Sequence, residues 1–170
     1  SMLERAARSC QEGIGLVSGL LRLRSLDELD EQDFVSVNLV STFRSAVERV
    51  RETATESDVD LVEQLEIDDS QTGWVRGDPG LIEEMLHVPL HNAIKYSSAG
   101  DTVTVRLFPH EPPEDEETEE GPPAPMQLCV EILDNGIGIP EGAQEKLFEE
   151  FYRAPNAKGG SREGTGLGLA

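Results

Sequence analysis

The spacing of apolar side chains predicts three helices in this chain. Over residues 3–24 the apolar positions recur at alternating intervals of four and three, the a/d pattern of a helix that packs on another helix. An ordinary amphipathic helix on its own domain is the alternative there. Helical spacing returns over residues 40–55 and 81–96, and the Gly-Asp-Pro-Gly sequence at residues 77–80 predicts a turn that caps the third helix.

Alternating apolar and polar positions predict extended segments between the helices. Strands are expected over residues 34–39, 61–67, 102–108 and 126–133. The polar residues 27–33 predict a linker. The proline- and glutamate-rich residues 109–125 lack apolar side chains that could pack, so they predict a solvated loop. Helices and strands mix without strict βαβ alternation, which predicts an α+β sandwich with helices on one face of a mixed sheet.

The charge balance excludes one class of partner. The chain has 14 basic and 34 acidic residues, which gives a formal net charge of −20. Nucleic acid is not expected as a partner, because phosphate backbones are bound by clustered lysine and arginine. The chain contains no apolar run of about 18 residues, so no membrane span is predicted. A cytoplasmic location is therefore expected, and anchoring of a longer parent protein through a preceding region stays open.

Two stretches place polar side chains where a predicted element ends. Residues 91–97 close the third helix and include Asn92 and Lys95. The side-chain oxygen of asparagine can ligate Mg²⁺ without adding charge, and a lysine close by can reach a phosphate. Residues 134–140 follow the last strand, and Asp134 opens them. Its carboxylate can accept a hydrogen bond from an exocyclic amine such as adenine N6.

Glycines recur in the second of these stretches and in a third. Gly136 and Gly138 allow the backbone to come close to a flat base. Residues 164–170 alternate glycine with other residues before an apolar helix start, so their backbone N–H groups can bind an anion. Taken singly, each stretch also fits an ordinary Asn-Gly turn or a glycine loop. The prediction of a nucleotide site therefore depends on their order along the chain.

In this order, with residues 147–153 (Leu-Phe-Glu-Glu-Phe-Tyr-Arg) before the third, the stretches closely resemble four motifs of the sensor histidine kinases. These are the N-box, the first glycine box, the F-box and the second glycine box. The family belongs to the ATP-binding superfamily that includes gyrase, the heat-shock chaperones and the mismatch-repair proteins. The resemblance covers residues 34–170 and implies a Bergerat-type ATP-binding sandwich that is incomplete at its C-terminus. Residues 1–33 resemble the end of a coiled-coil-like dimerisation and phosphotransfer helix with its linker.

The resemblance implies a role for each matching residue of the first two motifs. Asn92 would ligate Mg²⁺, Lys95 would contact a phosphate, and Tyr96 would pack near the ribose or the base. Asp134 would accept a hydrogen bond from adenine N6, and the two glycines that follow it would shape the base pocket. ATP and Mg²⁺ are therefore the expected cofactors.

The resemblance also implies an ATP lid over residues 152–163, with Phe148 and Phe151 as its hinge. Core aromatics three residues apart on a helix are the alternative for this pair. The lid contains three cations that would contact phosphates: Arg153, Lys158 and Arg162. Phosphates would also bind the backbone amides of three glycines: Gly164, Gly166 and Gly168.

The chain departs from the family pattern at the N-box and in its histidines. Val88 stands four residues before Asn92, where many histidine kinases have asparagine and hydrolytic members of the superfamily have a general-base glutamate. Valine cannot accept a proton, so phosphoryl transfer is favoured over hydrolysis. Pro89 is expected to kink the helix. The family's phosphoacceptor motif follows none of the three histidines of the chain: His87, His91 and His110.

The implied function is transfer of the ATP γ-phosphate to a histidine outside this chain, for relay to a response-regulator aspartate. No catalytic residue is expected in the chain, so it should not autophosphorylate alone. The expected partners are the phosphoacceptor helix of the parent or of a dimer mate, the response regulator, and a second copy bound through residues 3–24. Two alternatives stay open: an anti-sigma-factor-like serine kinase, and a non-enzymatic nucleotide-sensing dimerisation module.

Overall fold

The computed structural model describes residues 30, 33–67, 73–110, 127–157 and 164–169. The chain divides into two compact units, a larger one over Val35–Gly136 and a smaller one of Ser1–Phe34 with Ile137–Ala170. Three predicted segments lie wholly or mostly outside the described residues: the helix over 3–24, the linker over 27–33 and the loop over 109–125.

Two long helices dominate the larger unit. Helix α1 spans Leu39–Glu56 and helix α2 spans Pro79–Tyr96. Each begins after a side-chain cap, because Asn38 Oδ1 and Asp78 Oδ1 each accept a hydrogen bond of 2.9 Å from the backbone N–H three residues later. Helix α2 continues through Pro89 without interruption, and a kink there stays a prediction. No helix in the described part of the chain has the length and apolar character needed to cross a membrane.

The five strands among the described residues pair into two sheets. Strands β1 (Val35–Asn38) and β3 (Trp74–Gly77) form an antiparallel ribbon. The second sheet has the order β2-β4-β5, formed by Asp60–Leu65, Thr102–His110 and Gln127–Asp134. Strand β2 runs parallel to β4, whereas β4 and β5 are antiparallel. The predicted mixed sheet is therefore confirmed.

The core of the larger unit lies between the two helices and one face of the three-stranded sheet. Alternate residues of β4 point into it, since side chains along a strand alternate between the two faces: Val103, Val105 and Leu107. The helices contribute apolar residues at helical spacing to the same core: Phe43, Val47, Val50, Leu86, Leu90 and Ile94. The α+β arrangement with helices on one face of the sheet is confirmed.

The smaller unit is described mainly over residues 137–157 and 164–169. It contains a one-turn helix, α3, over Glu141–Gln144, and a 3₁₀ turn over Pro155–Ala157. Most of its described backbone is loop. Three apolar side chains of these segments are buried: Ala143, Ala154 and Leu167.

The larger unit contains one strand that was not predicted, β3, and several of its other elements differ by one or two residues from their predicted bounds. The four residues of β3 show no clear alternation of apolar and polar side chains. Helix α2 begins two residues earlier than expected, directly after its cap. Pro109 and His110 belong to β4 and not to the predicted loop, since they pair with Leu128 and Gln127 of β5.

Candidate functional site

The last turn of α2 carries the three predicted residues of the first motif. Asn92, Lys95 and Tyr96 are all partly buried there. The ammonium of Lys95 lies 5.3 Å from the centre of the Tyr96 ring, a cation–π distance. The buried hydroxyl of Ser97 donates a hydrogen bond of 2.9 Å to the carbonyl oxygen of Ala93. This bond ties the residue that ends the helix to the turn that contains Asn92.

The second motif begins where β5 ends, and it packs on the end of α2. The Asp134 carboxylate is exposed, and its Oδ1 accepts a hydrogen bond of 2.9 Å from the backbone N–H of Gly136. A Cβ atom at Gly136 would lie 2.5 Å from the carbonyl oxygen of Tyr96. Only glycine allows this approach of the two backbones. The structure therefore brings together the N-box and the start of the first glycine box.

In the smaller unit, Asn156 binds the continuation of the first glycine box. Gly138 has a φ of +65°, in the left-handed region that favours glycine. The Asn156 Nδ2 donates to the carbonyl oxygens of Gly138 at 2.9 Å and of Ile137 at 3.4 Å. Asn156 was not predicted as a site residue. It lies 18 residues from Gly138, within the lid predicted over residues 152–163, and belongs to none of the four motifs, so no sequence signal marks it.

Replacing Asn156 with alanine is expected to loosen the turn at Gly138 without unfolding the chain. Asn156 is exposed, and loss of a neutral hydrogen bond costs about 1 kcal/mol. The backbone amide NMR signals of Gly138 and Ile139 should therefore shift, and their order parameters should fall. Gln144→Ala, which removes an exposed amide from α3 of the same unit, should leave those signals unchanged. Equal signals and order parameters in the Asn156 variant and the parent would show that the bond does not hold the turn.

The two phenylalanines of the F-box are exposed to solvent. Phe148 is 70% exposed and Phe151 is 51% exposed. They lie in consecutive turns and not in a helix. Phe151 also has a φ of +62°, which is unusual for a residue other than glycine. The alternative that this pair forms core aromatics on a helix is therefore wrong, and the hinge role stays a prediction.

The second glycine box contacts the backbone of the F-box. Gly166 has a φ of +76°, and a Cβ atom there would lie 2.6 Å from the carbonyl carbon of Phe151 and 2.7 Å from the carbonyl oxygen of Tyr152. Gly164 and Gly168 on either side of it are exposed. The structure therefore brings these two motifs together within the smaller unit.

One of the three predicted phosphate-binding cations lies in the described part of the chain. The Nη2 of Arg153 donates a hydrogen bond of 2.7 Å to the carbonyl oxygen of Ala157 in the 3₁₀ turn. Lys158 and Arg162 lie outside the described residues. Within the described ranges, no group of three or more His, Cys, Asp or Glu side chains could hold a metal ion.

Two histidines lie one turn apart on α2. The ring centres of His87 and His91 are 5.8 Å apart. Burial lowers the pKa of His87, and the charge of Arg49 lowers it further. Burial also lowers the pKa of His91, with a further contribution from Lys95. Both shifts favour the neutral form of the ring.

The sequence is similar to known signalling proteins. The family described as "Histidine kinase-, DNA gyrase B-, and HSP90-like ATPase" matches residues 77–170. The sensor-like histidine kinase SenX3 of Mycolicibacterium smegmatis is 32% identical over 158 residues, which cover 92% of this chain and 36% of SenX3. This chain thus spans about a third of the length of that relative.

The fold is similar to solved structures of the same kind of protein. The mycobacterial sensor histidine kinase MprB is 26% identical, with a TM-score of 0.59 over 80% of this chain and 73% of that one. The histidine kinase ThkA in complex with the response regulator TrrA is 18% identical, with a TM-score of 0.52 over 89% of this chain and 50% of that one. The second likeness concerns the fold alone.

Proposed function

The chain belongs to the histidine kinase-, DNA gyrase B- and HSP90-like ATPase family, and from this premise we propose that it binds Mg-ATP and presents the γ-phosphate to a histidine. One contact in the larger unit carries the proposal. Gly136 packs on the carbonyl of Tyr96 so closely that no side chain fits. That contact joins the end of β5, which carries the exposed carboxylate of Asp134, to the end of α2, which carries the amide of Asn92. The first group would bind the adenine, and the second would bind the metal ion of the nucleotide.

Asp134 is proposed to bind the adenine. One of its carboxylate oxygens accepts from Gly136 N–H, which fixes the orientation of the group. The second oxygen can then accept a hydrogen bond from the N6 amine. Each carboxylate oxygen thus accepts one hydrogen bond and neither has to donate one, which is why a carboxylate suits the position.

Asn92 and Lys95 are proposed to act on the phosphates. The Asn92 side-chain oxygen would ligate Mg²⁺, which when bound offsets the charge that develops on the transferred phosphoryl group. Lys95 would contact a phosphate oxygen. In the smaller unit, the backbone amides of three glycines and the side chains of three cations would do the same: Gly164, Gly166, Gly168, Arg153, Lys158 and Arg162.

The residue four positions before Asn92 on α2 favours transfer to a histidine over hydrolysis. Val88 is partly buried and has no group that could take a proton from water. The acceptor is proposed to be a histidine of the parent or of a dimer mate. The relative SenX3 is named a histidine kinase, which favours this hypothesis over the serine kinase and the non-enzymatic module. The ThkA complex supports a response regulator as the next acceptor.

Calorimetry with ADP and radiolabelling with ATP test the proposal. Heat of ADP binding that grows on addition of Mg²⁺ is expected, and absence of any binding would refute the proposed function. With γ-labelled ATP and Mg²⁺, label should enter a longer form that carries the acceptor and not this chain. Label on this chain would identify one of its own histidines or hydroxyls as the acceptor.

The Asn92→Ala variant is expected to lose the dependence of ADP affinity on Mg²⁺. Without the amide oxygen the ion has no ligand from the last turn of α2, so Mg²⁺ should tighten ADP binding much less than it does in the parent. Titrations with Mg²⁺ and with a chelator measure the difference. Gln64→Ala, which removes an exposed amide from β2, should retain the full effect of Mg²⁺. An Asn92 variant that also retains it would place the ion elsewhere.

A further inference from the structure

Helix α2 carries a pair of histidines that its proposed role in nucleotide binding does not use. His87 and His91 occupy positions i and i+4, which are neighbours on one face of a helix. Their ring centres are 5.8 Å apart and their planes are tilted by 42°. At a Zn–N distance of about 2.1 Å, two imidazoles that share one tetrahedral ion have ring centres about 5.2 Å apart. The separation of the two rings is therefore close to that of a chelating pair.

The surroundings of His87 favour coordination. Its Nδ1 is shielded from solvent and has no hydrogen-bond partner among the described residues, a state that calls for a water or an ion. Burial and the nearby charge of Arg49 both lower the pKa of this ring, and the Arg49 charge alone would also repel a dication. The positive charge of Arg49 is offset by an ion pair with Glu83, whose Oε1 lies 2.5 Å from Arg49 Nη1.

Pro89 lies between the two histidines along the helix. A proline inside a helix lacks the N–H that would donate to the carbonyl four residues earlier, so α2 misses one backbone hydrogen bond at this turn. The missing bond would join residues 85 and 89, and a chelate between residues 87 and 91 overlaps that turn. An ion held there would link the parts of the helix on either side of Pro89.

We propose that His87 and His91 form a two-histidine site for a late transition-metal dication, of the class of Zn²⁺, Ni²⁺ and Cu²⁺, which links α2 across Pro89. Imidazole nitrogen suits these ions, whereas Mg²⁺ prefers oxygen ligands. The site is therefore chemically distinct from the one proposed at Asn92. With two protein ligands it leaves the remaining coordination positions to water, so binding is reversible.

Titration of the full chain with Zn²⁺, followed by calorimetry and thermal unfolding, tests this site. Zn²⁺ should raise the melting temperature, and Mg²⁺ at the same concentration should not reproduce the shift. The affinity for Zn²⁺ should fall at least tenfold in His87→Gln and in His91→Gln. His110→Gln, which removes the histidine on β4, should bind Zn²⁺ like the parent. Equal affinity in all three variants would overturn the proposal.

A measurement on the unmodified chain covers the case in which a histidine variant fails to fold. Substoichiometric Cu²⁺ broadens the NMR signals of nuclei close to the bound ion. Selective loss of amide signals around residues 85–93 is expected, with the signal of His110 retained. A chain of net charge −20 attracts any dication to its acidic residues. Broadening confined to those residues would reject the site.

Discussion

The Asp134→Asn variant is expected to bind ADP roughly 5- to 150-fold more weakly than the parent, a loss of about 1–3 kcal/mol. Asparagine retains one oxygen that can accept from Gly136 N–H, as Oδ1 of Asp134 does at 2.9 Å. The local turn should therefore persist. The second oxygen becomes an amide NH₂, which places a donor against the donor at N6 of adenine. Isothermal titration with ADP measures the loss.

Asp101→Asn is the matched control for this change. Asp101 also closes a turn through its carboxylate, since its Oδ2 accepts from the backbone N–H of Ser98 at 2.7 Å, but it belongs to none of the motifs. The control should bind ADP like the parent and melt at nearly the same temperature. If Asp134→Asn and Asp101→Asn bind ADP equally well, Asp134 does not bind the adenine.

The Gly136→Ala variant is expected to lose both stability and nucleotide affinity. Its Cβ would lie 2.5 Å from the carbonyl oxygen and 2.9 Å from the carbonyl carbon of Tyr96. Both are backbone atoms of a helix end and cannot move aside cheaply. Overpacking of this kind costs about 1–3 kcal/mol, which lowers the melting temperature by several degrees. The end of β5 must then move away from α2, so ADP binding should weaken in the same variant.

Gly142→Ala gives the comparison for that variant. Gly142 lies in α3, and a Cβ there meets no atom within 4 Å. Alanine should be neutral or slightly stabilising, because it restricts the unfolded chain. Thermal unfolding and ADP calorimetry on both variants separate a general effect of adding a methyl group from the specific clash. A Gly136 variant as stable as the Gly142 variant would show that the two backbones have room to part.

The elements that carry the motifs could be predicted from the sequence because their signals are local. Helix α2 has helical spacing and an aspartate cap, and β5 alternates until Asp134. The family membership likewise follows from four short motifs in a fixed order. The contact of Gly136 with Tyr96 could not be predicted, since glycine at that place also fits an ordinary turn. It depends on how the strand end and the helix end pack, which the core decides.

The features that the sequence did not predict depend on contacts distant along the chain. Strand β3 exists because it pairs with β1, in a register that places Val35 opposite Gly77. Pro109 extends β4 because β5 continues beside it, opposite Leu128. The bond from Asn156 to Gly138 joins two loops. In each case the local sequence pattern favours no particular structure, and the segment that pairs with it determines the structure.

The left-handed backbone of Phe151 constrains how this position can vary during evolution. A residue with a Cβ at positive φ costs roughly 1–2 kcal/mol relative to glycine, and a ring that is 51% exposed recovers only part of this cost through burial. Mutation and selection for foldability alone would therefore favour glycine or asparagine at this position. An aromatic ring retained there across descendants of this gene would record selection for activity and not for stability.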